Sequence, residues 1–281
     1  MYKILEKEDY SDDTYMQVIE APAVAKAAQA GQFLIVKLHE EGERIPLTIA
    51  DFDRDRGTVT IVVQAIGKTT RELQTYGAGD SLANVIGPLG LPSEIEDFGT
   101  VICAGGGVGV APVFPIAREL KAAGNKVISI VAARTKSLLL WEDRMKEVSD
   151  EVIVTTDDGS CGRECLVTEP IKELCEAGGI DLVYAIGPAI MMKFCCKTTE
   201  PFGVKTIVSL NSIMVDGTGM CGACRVNVGG ETRFVCVEGP EFDGHQVDFD
   251  LLMSRQRQYL EQEKIAYDYY LECRGDKACL T

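Results

Sequence analysis

Apolar and polar positions alternate most sharply in Gly57-Thr-Val-Thr-Ile-Val-Val-Gln64, a period-two pattern that predicts a strand with one buried face. β-Rich runs also cover Thr14–Glu20, Gln32–Leu38 and Pro46–Phe52, separated by Gly, Asp and charged clusters. Short strands at this spacing predict an antiparallel barrel or sandwich over residues 1–98. After Gly99 the texture changes. Strand Thr100–Ala104 leads through a glycine loop to a helix ending at Ala123. Strand Lys126–Ala132, a helix around Leu138–Glu147, strand Glu151–Thr155, helix Pro170–Ala177 and strand Asp181–Ile186 follow. That alternation predicts a parallel, doubly wound α/β domain over residues 99–209. Residues 210–247 are glycine-rich and too few to fold on hydrophobic burial alone, so a metal centre is expected to supply what their core lacks. From Asp248 a helical tail with an Asp cap occupies residues 248–281.

Composition narrows this picture without redirecting it. The chain has 281 residues, 46% hydrophobic and 25% charged, enough for two compact domains and a small appendage. A formal net charge of −15 opposes a nucleic-acid surface, which needs clustered Lys and Arg to displace counterions. The longest apolar run, Val101–Ala117, is broken by glycines and prolines, so no membrane span is expected. The opening Met-Tyr-Lys-Ile-Leu-Glu-Lys-Glu-Asp turns acidic at once and has no signal-peptide core, which predicts a cytoplasmic protein. In that reducing compartment the eleven cysteines read as ligands or small core residues rather than disulfides. Cys103, Cys175, Cys195 and Cys196 lie in apolar or helical stretches and are expected as buried thiols, whereas Cys273 and Cys279 lack a glycine-loop context and are not assigned as ligands.

Chemistry concentrates in Val215-Asp-Gly-Thr-Gly-Met-Cys-Gly-Ala-Cys-Arg-Val226. With Cys236, the donors Asp216, Cys221, Cys224 and Cys236 read Asp-x4-Cys-x2-Cys-x11-Cys, the spacing of a plant-type [2Fe-2S] site with oxygen replacing the first sulfur. The x2 pair is expected to grip one iron and Cys236 to close the second, while Gly217, Gly219 and Gly222 let backbone amides approach the sulfides. Zinc held by the three cysteines with Asp216 or His245 is the rival reading. Asp216 as a ligand would raise the cluster potential; alternatively it shapes an Asp-Gly turn.

Upstream, Gly105, Gly106, Gly107, Val108 and Gly109 follow a strand and precede a helix that has Pro112 in its first turn, so backbone N–H groups and the helix dipole can meet a pyrophosphate. The loop departs from G-x-G-x-x-G, and Arg134 stands where an acidic residue would hold the ribose, leaving NAD or NADP open. Asp158 and the Gly187-Pro188-x-x-Met191 stretch each follow a strand end, where an open α/β sheet places its ligand. In the β-domain, Pro46, Leu47, Thr48 and Ile49 form a hydroxyl-bearing strand. Val63, Ala65, Gly67, Lys68, Thr69 and Thr70 lead into a Gly-Lys-Thr-Thr turn opening a helix; such groups can bond a flavin edge and its phosphates, or serve simply as strand and cap.

In this order the motifs Pro-Leu-Thr-Ile, Gly-Lys-Thr-Thr, Gly87-Pro-Leu-Gly90, the glycine loop, Asp158-Gly-Ser-x-Gly162 and Gly187-Pro-x-x-Met-Met192 resemble the ferredoxin-reductase superfamily. The resemblance implies an FAD-binding barrel followed by an NAD(H)-binding α/β domain. With the C-terminal [2Fe-2S] segment, the chain is similar to electron-transfer subunits of class B dihydroorotate dehydrogenase. It is more similar still to small subunits of NADH-dependent reduced ferredoxin:NADP oxidoreductases, in which Asp takes the first cluster position. That implies hydride exchange between NAD(H) and FAD, single electrons passing through the cluster, and a heterodimer with a larger subunit carrying FAD and [4Fe-4S] clusters. Ferredoxin would be served indirectly, through electron bifurcation. A zinc-stabilised nucleotide-binding regulator is the alternative from another class. The superfamily's Arg-x-Tyr-Ser motif has no tyrosine here, and Arg44 stands one residue further from Thr48 than that motif would place it.

Overall fold

The computed structural model describes residues 1–273, so Cys279 lies outside the described residues. The N-terminal part comprises β1 (Tyr2–Asp9), β2 (Thr14–Glu20), α1 (Pro22–Ala27), β3 (Phe33–Lys37), β4 (Arg44–Thr48), β5 (Asp51–Asp53), β6 (Thr58–Gln64), α2 (Lys68–Gln74), β7 (Ser81–Leu82) and β8 (Asn84–Leu89). Its strands form a five-stranded sheet, β5-β6-β2-β1-β7, and a three-stranded sheet, β4-β3-β8, with every pairing antiparallel. The apolar run expected as one strand over Pro46–Phe52 is two: the chain leaves one sheet at Thr48 and joins the other at Asp51, with Ile49 and Ala50 buried at the crossing. Ile4, Ile19, Leu34, Val36 and Ile61 are fully buried between these sheets.

The α/β part contains β9 (Thr100–Gly106), α3 (Val110–Ala122), β10 (Lys126–Ala133), α4 (Glu142–Glu147), β11 (Glu151–Thr156), β12 (Arg163–Glu164), α5 (Thr168–Ala177), β13 (Leu182–Ile186), α6 (Ala189–Thr199) and β14 (Lys205–Ser209). The remaining elements are β15 (Arg225–Val228), β16 (Glu231–Phe234), α7 (Val235–Glu238), β17 (Glu241–Asp243), α8 (Phe249–Gln256) and α9 (Leu260–Glu272). Seven strands run in the order β12-β11-β10-β9-β13-β14-β17, parallel except for the last pair. The order therefore turns back on itself between β9 and β13, where an α/β sheet opens a crevice at its strand ends. Parallel strands are covered on both faces, which explains the nearly continuous apolar runs in β9, β10 and β13. The cluster segment is joined to this sheet: β17 pairs with β14 through Ile207–Asp243, Val208–Phe242 and Ser209–Glu241. In α8, the Asp248 carboxylate accepts from Leu251 N at 2.9 Å, the expected cap. Cys103, Cys175, Cys195 and Cys196 are buried thiols, as expected. No helix among the described residues is long and apolar enough to cross a membrane.

The helix expected around Leu138–Glu147 begins only at Glu142; a 3-10 turn covers Lys136–Leu138 and Trp141 has φ +54°. Tertiary packing accounts for the difference. The Trp141 ring meets Phe114 edge-on at 5.5 Å, and its Nε1 donates to Tyr10 Oη at 2.8 Å, reaching from the α/β part back to the β part. Beside it, the Asp51 carboxylate accepts from Arg118 at 2.7 Å and from Arg144 at 3.1 Å. This fork ties the start of β5 to α3 and α4. Asp51→Ala is expected to cost about 1–2 kcal/mol, leaving two guanidinium groups without their acceptor. A salt-insensitive thermal midpoint equal to wild type would contradict that.

Candidate functional site

In β4 all five residues are half-buried, whereas four of five in the adjacent β3 are buried. A strand lacking the usual in–out alternation leaves one face available to a further group. Pro46 and Thr48 share one face, Leu47 points to the other and packs against the buried core, and Ile49, Val63 and Ala65 have buried side chains and can offer only backbone groups. At the start of α2 the Thr70 hydroxyl accepts from Ile66 N and Gly67 N and donates to Gly67 O, so it is committed to closing the turn. The Thr69 hydroxyl donates to the Glu43 carboxylate, and Lys68 Nζ lies 3.8 Å from the other Glu43 oxygen. Glu43, overlooked in the sequence, thus places an anion among the donors that would meet a flavin phosphate; the donor set fits such a group once the carboxylate moves.

At the crevice the glycines have distinct tasks. A Cβ on Gly105 would lie 2.6 Å from Val110 Cα, on Gly106 2.2 Å from Met191 Sδ, on Gly109 2.2 Å from Ile186 O, and on Gly187 2.8 Å from Met191 Cε. Gly105 thus lets the loop close onto the start of α3, Gly106 and Gly187 make room for Met191 of α6, and Gly109 packs against the end of β13. Gly107, at φ +57° with nothing within 4 Å of its missing Cβ, is the open position where a pyrophosphate can approach the backbone. Val108 is half-buried next to it, and Pro188 precedes α6 at the crevice rim. Arg134 is exposed after β10, and its carbonyl accepts from Asp158 N at 3.2 Å. Ser160 donates to the Asp158 carboxylate through Oγ at 2.6 Å and N at 3.0 Å, holding that carboxyl below its usual range. Arg134 and Asp158 are therefore brought together at the strand ends; Arg134 offers a cationic site suited to a nucleotide phosphate.

The cluster loop folds around Asp216. Desolvation alone would push its carboxyl up, but hydrogen bonds from Thr218 N, the Cys221 thiol, the Thr218 hydroxyl and Met220 N outweigh it and bring the pKa to about 2. Asp216 Oδ1 lies 3.3 Å from Cys221 Sγ, and Cys224 Sγ lies 3.3 Å from Cys236 Sγ. The structure thus pairs the donors differently from the expectation that Cys221 and Cys224 share one iron. Oxygen and sulfur from the x4 step meet, and the second pair forms across twelve residues of chain because β15 and β16 turn back beneath it. Burial, with Cys224 adjacent, pushes the Cys236 thiol up to about 12, so metal binding there must expel a proton. His245 is elsewhere, its Nε2 3.0 Å from Thr199 Oγ1. Among the described residues no three His, Cys, Asp or Glu side chains converge on a point that one ion could occupy. Two two-donor pairs suit a binuclear group better than a single zinc.

Comparison with known proteins agrees with this arrangement. The iron-sulfur cluster binding domain of dihydroorotate dehydrogenase B matches residues 211–248, and the oxidoreductase NAD-binding domain matches residues 103–197. A dihydroorotate dehydrogenase B electron-transfer subunit homolog from Thermotoga maritima is 50% identical over 274 residues, covering 98% of this chain and 97% of the relative. The chain belongs to the family of dihydroorotate dehydrogenase B electron-transfer subunits. Another member, the electron-transfer subunit of Bacillus caldolyticus, is 33% identical over 84% of this chain and 93% of its own length. Within the same fold, a chain of the NADH-dependent reduced ferredoxin-NADP oxidoreductase, studied for flavin-based electron bifurcation, superposes with a TM-score of 0.92. It is 49% identical, covering 96% of this chain and 98% of that one. This family member is a small electron-transfer flavo-iron-sulfur subunit related to both complexes.

A buried carboxyl stands at the junction of the three parts. Glu241 accepts from Ser93 Oγ at 2.6 Å, and desolvation pushes its carboxyl up to about 7 despite that bond. Cys103 and Tyr184 both sense its charge. Because the folded pKa exceeds the unfolded value, the folded state binds the extra proton. Stability is expected to fall as pH rises from about 4.5 to about 7 and then level off. Glu241→Gln should flatten that slope in thermal midpoints measured across the window.

Proposed function

We propose that this chain accepts electrons from, or returns them to, NAD(H), and relays them singly to a larger subunit of an electron-bifurcating ferredoxin:NADP oxidoreductase. The observation that carries this reading is the pairing of Asp216 with Cys221 and of Cys224 with Cys236, the last brought back to the loop by β15 and β16. In this reading residues 1–98 form an FAD-binding barrel, 99–209 a doubly wound NAD(H)-binding domain, 210–247 the [2Fe-2S] domain and 248–281 the tail. When bound, these groups supply hydride exchange between nicotinamide and flavin and one-electron exchange at the cluster.

The chain's own part is positioning. Pro46, Leu47, Thr48 and Ile49 line the flavin, while Val63, Ala65, Gly67, Lys68, Thr69 and Thr70 approach it from the α2 side. Gly105, Gly106, Gly107, Val108 and Gly109 present backbone N–H groups to the nicotinamide dinucleotide; Arg134 and Asp158 hold its adenosine end, and Gly187, Pro188 and Met191 border its reacting end. Hydride transfer needs no side-chain acid or base, only two rings held in contact. Asp216, Cys221, Cys224 and Cys236 hold the cluster. The partner carries FAD and [4Fe-4S] clusters, the pair works in the cytoplasm as a heterodimer, and ferredoxin is served indirectly.

The 50% identity to a dihydroorotate dehydrogenase B subunit homolog supports a second reading, the same relay feeding pyrimidine synthesis. Anaerobic purification with the native partner separates the two. The favoured reading expects flavin absorbance, a [2Fe-2S] EPR signal on NADH reduction, and NAD reduction driven by NADPH with ferredoxin. Reduction of the complex by dihydroorotate alone would favour the second reading, and a colourless, zinc-containing chain would defeat both.

A further inference from the structure

Arg44 opens β4, yet its guanidinium reaches into the cluster loop. Nε donates to the carbonyl of Val215 at 3.1 Å and Nη2 to the carbonyl of Asp216 at 3.0 Å. One rigid fork thus holds two successive carbonyls, the second belonging to the first candidate iron ligand. Packing reinforces the attachment. A Cβ on Gly217 would lie 2.9 Å from Ile35 Cγ1 and 2.9 Å from Leu89 Cδ1, so the loop rests on β3 and β8, the other strands of the same sheet.

Two more guanidinium groups grip the far side of the loop. Arg225 donates to Gly222 O at 3.1 Å and Arg255, on α8, donates to Ala223 O at 3.1 Å. In a chain of net charge −15, three arginines fastened to the backbone of one short loop form a local positive field. Of the three, only Arg44 comes from the β part.

We infer that Arg44 is a positioning residue that couples the flavin-binding sheet to the iron-sulfur cluster, fixing the Asp216 end of the loop and holding a positive charge beside it. The inference rests on the cluster reading above. One-electron reduction adds a negative charge to the cluster, and a fixed cation within reach stabilises that product more than the oxidised form. The fork also determines where Asp216 stands relative to β4, and so the distance an electron must cross.

The test uses the full chain loaded with FAD and iron, with wild type, Arg44→Met and Arg44→Lys compared by EPR-monitored redox titration and by stopped-flow reduction with NADH. Arg44→Met is expected to lower the reduced-to-oxidised ratio of the cluster at fixed potential by about tenfold, about 59 mV for a one-electron couple. Arg44→Lys keeps the charge and loses the fork, so it should recover most of the potential while cluster reduction stays slower than wild type. Unchanged potential and rate in Arg44→Met, with FAD and iron retained, would overturn the inference. So would selective loss of FAD with an unshifted cluster, which would make Arg44 a flavin ligand. Absence of iron from wild type itself would remove the cluster reading and this inference with it; that outcome is read from metal content before any titration.

Discussion

Cys236→Ala should leave the chain without its cluster and stop one-electron output, while NADH oxidation by a dye that draws electrons directly from the flavin continues. Cys236 is 2% exposed and lies in the short α7, with its sulfur 3.3 Å from Cys224. Removing it leaves Cys224 as a lone donor where the geometry supplies two. Loss of a residue that merely supports a ligand costs about 10–100-fold in metal affinity, so loss of a ligand should exceed that range. Iron per chain, the EPR signal and transfer to the partner should fall together. The segment should also become less stable, because metal binding and folding are coupled in so small a core. Cys195→Ala is the control: that thiol is fully buried, burial pushes it up to about 12, and it lies among the side chains of α6, so iron should be retained. Equal iron in the two variants would contradict the ligand assignment.

Gly109→Ala is expected to have the second-largest effect, this time on NADH. The new methyl would sit 2.2 Å from the carbonyl oxygen of Ile186 and 2.9 Å from Gly187 Cα, both backbone atoms that no rotamer change can clear. Overpacking of this kind costs about 1–3 kcal/mol. At about 2–4 °C per kcal/mol for a chain approaching this size, the thermal midpoint should drop measurably. The larger consequence is displacement of the loop from the end of β13, which removes the surface against which the dinucleotide would lie. NADH affinity, measured from the concentration dependence of flavin reduction, should weaken by about tenfold or more, equivalent to about 1.4 kcal/mol. Gly107→Ala separates packing from backbone shape, because its Cβ meets nothing within 4 Å while its φ of +57° carries the left-handed penalty of about 1–2 kcal/mol. If Gly109→Ala binds NADH like wild type, the loop does not hold the dinucleotide.

The sequence revealed the centre of the α/β sheet because β9, β10 and β13 are buried on both faces and read as nearly continuous apolar runs, whereas β12, with both residues exposed, and β14, with alternating burial, went unmarked. It concealed β1, since Tyr-Lys-Ile-Leu-Glu-Lys-Glu-Asp is dominated by charge and only Ile4 is buried. It also concealed the change of sheet after Thr48, because apolar continuity carries no information about which partner a strand takes. In the cluster segment, spacing marked Asp216, Cys221, Cys224 and Cys236 as candidate donors, but which of them stand side by side depends on how β15 and β16 bring Cys236 back to Cys224. Glu43, Arg44 and Asp51 act through partners distant in the chain, as in the 171 positions between Arg44 and Val215, so no local pattern marks them.

The pairing of β17 with β14 makes the appended segment a selvedge for the nicotinamide sheet. A chain cut after Ser209 would expose the N–H and C=O groups of β14 along a bare margin, an invitation to strand exchange with another copy. The redox module can therefore not be removed like a bead from a string: a reductase fragment lacking it would need a new edge guard, and its self-association would be a property of the cut rather than of the protein.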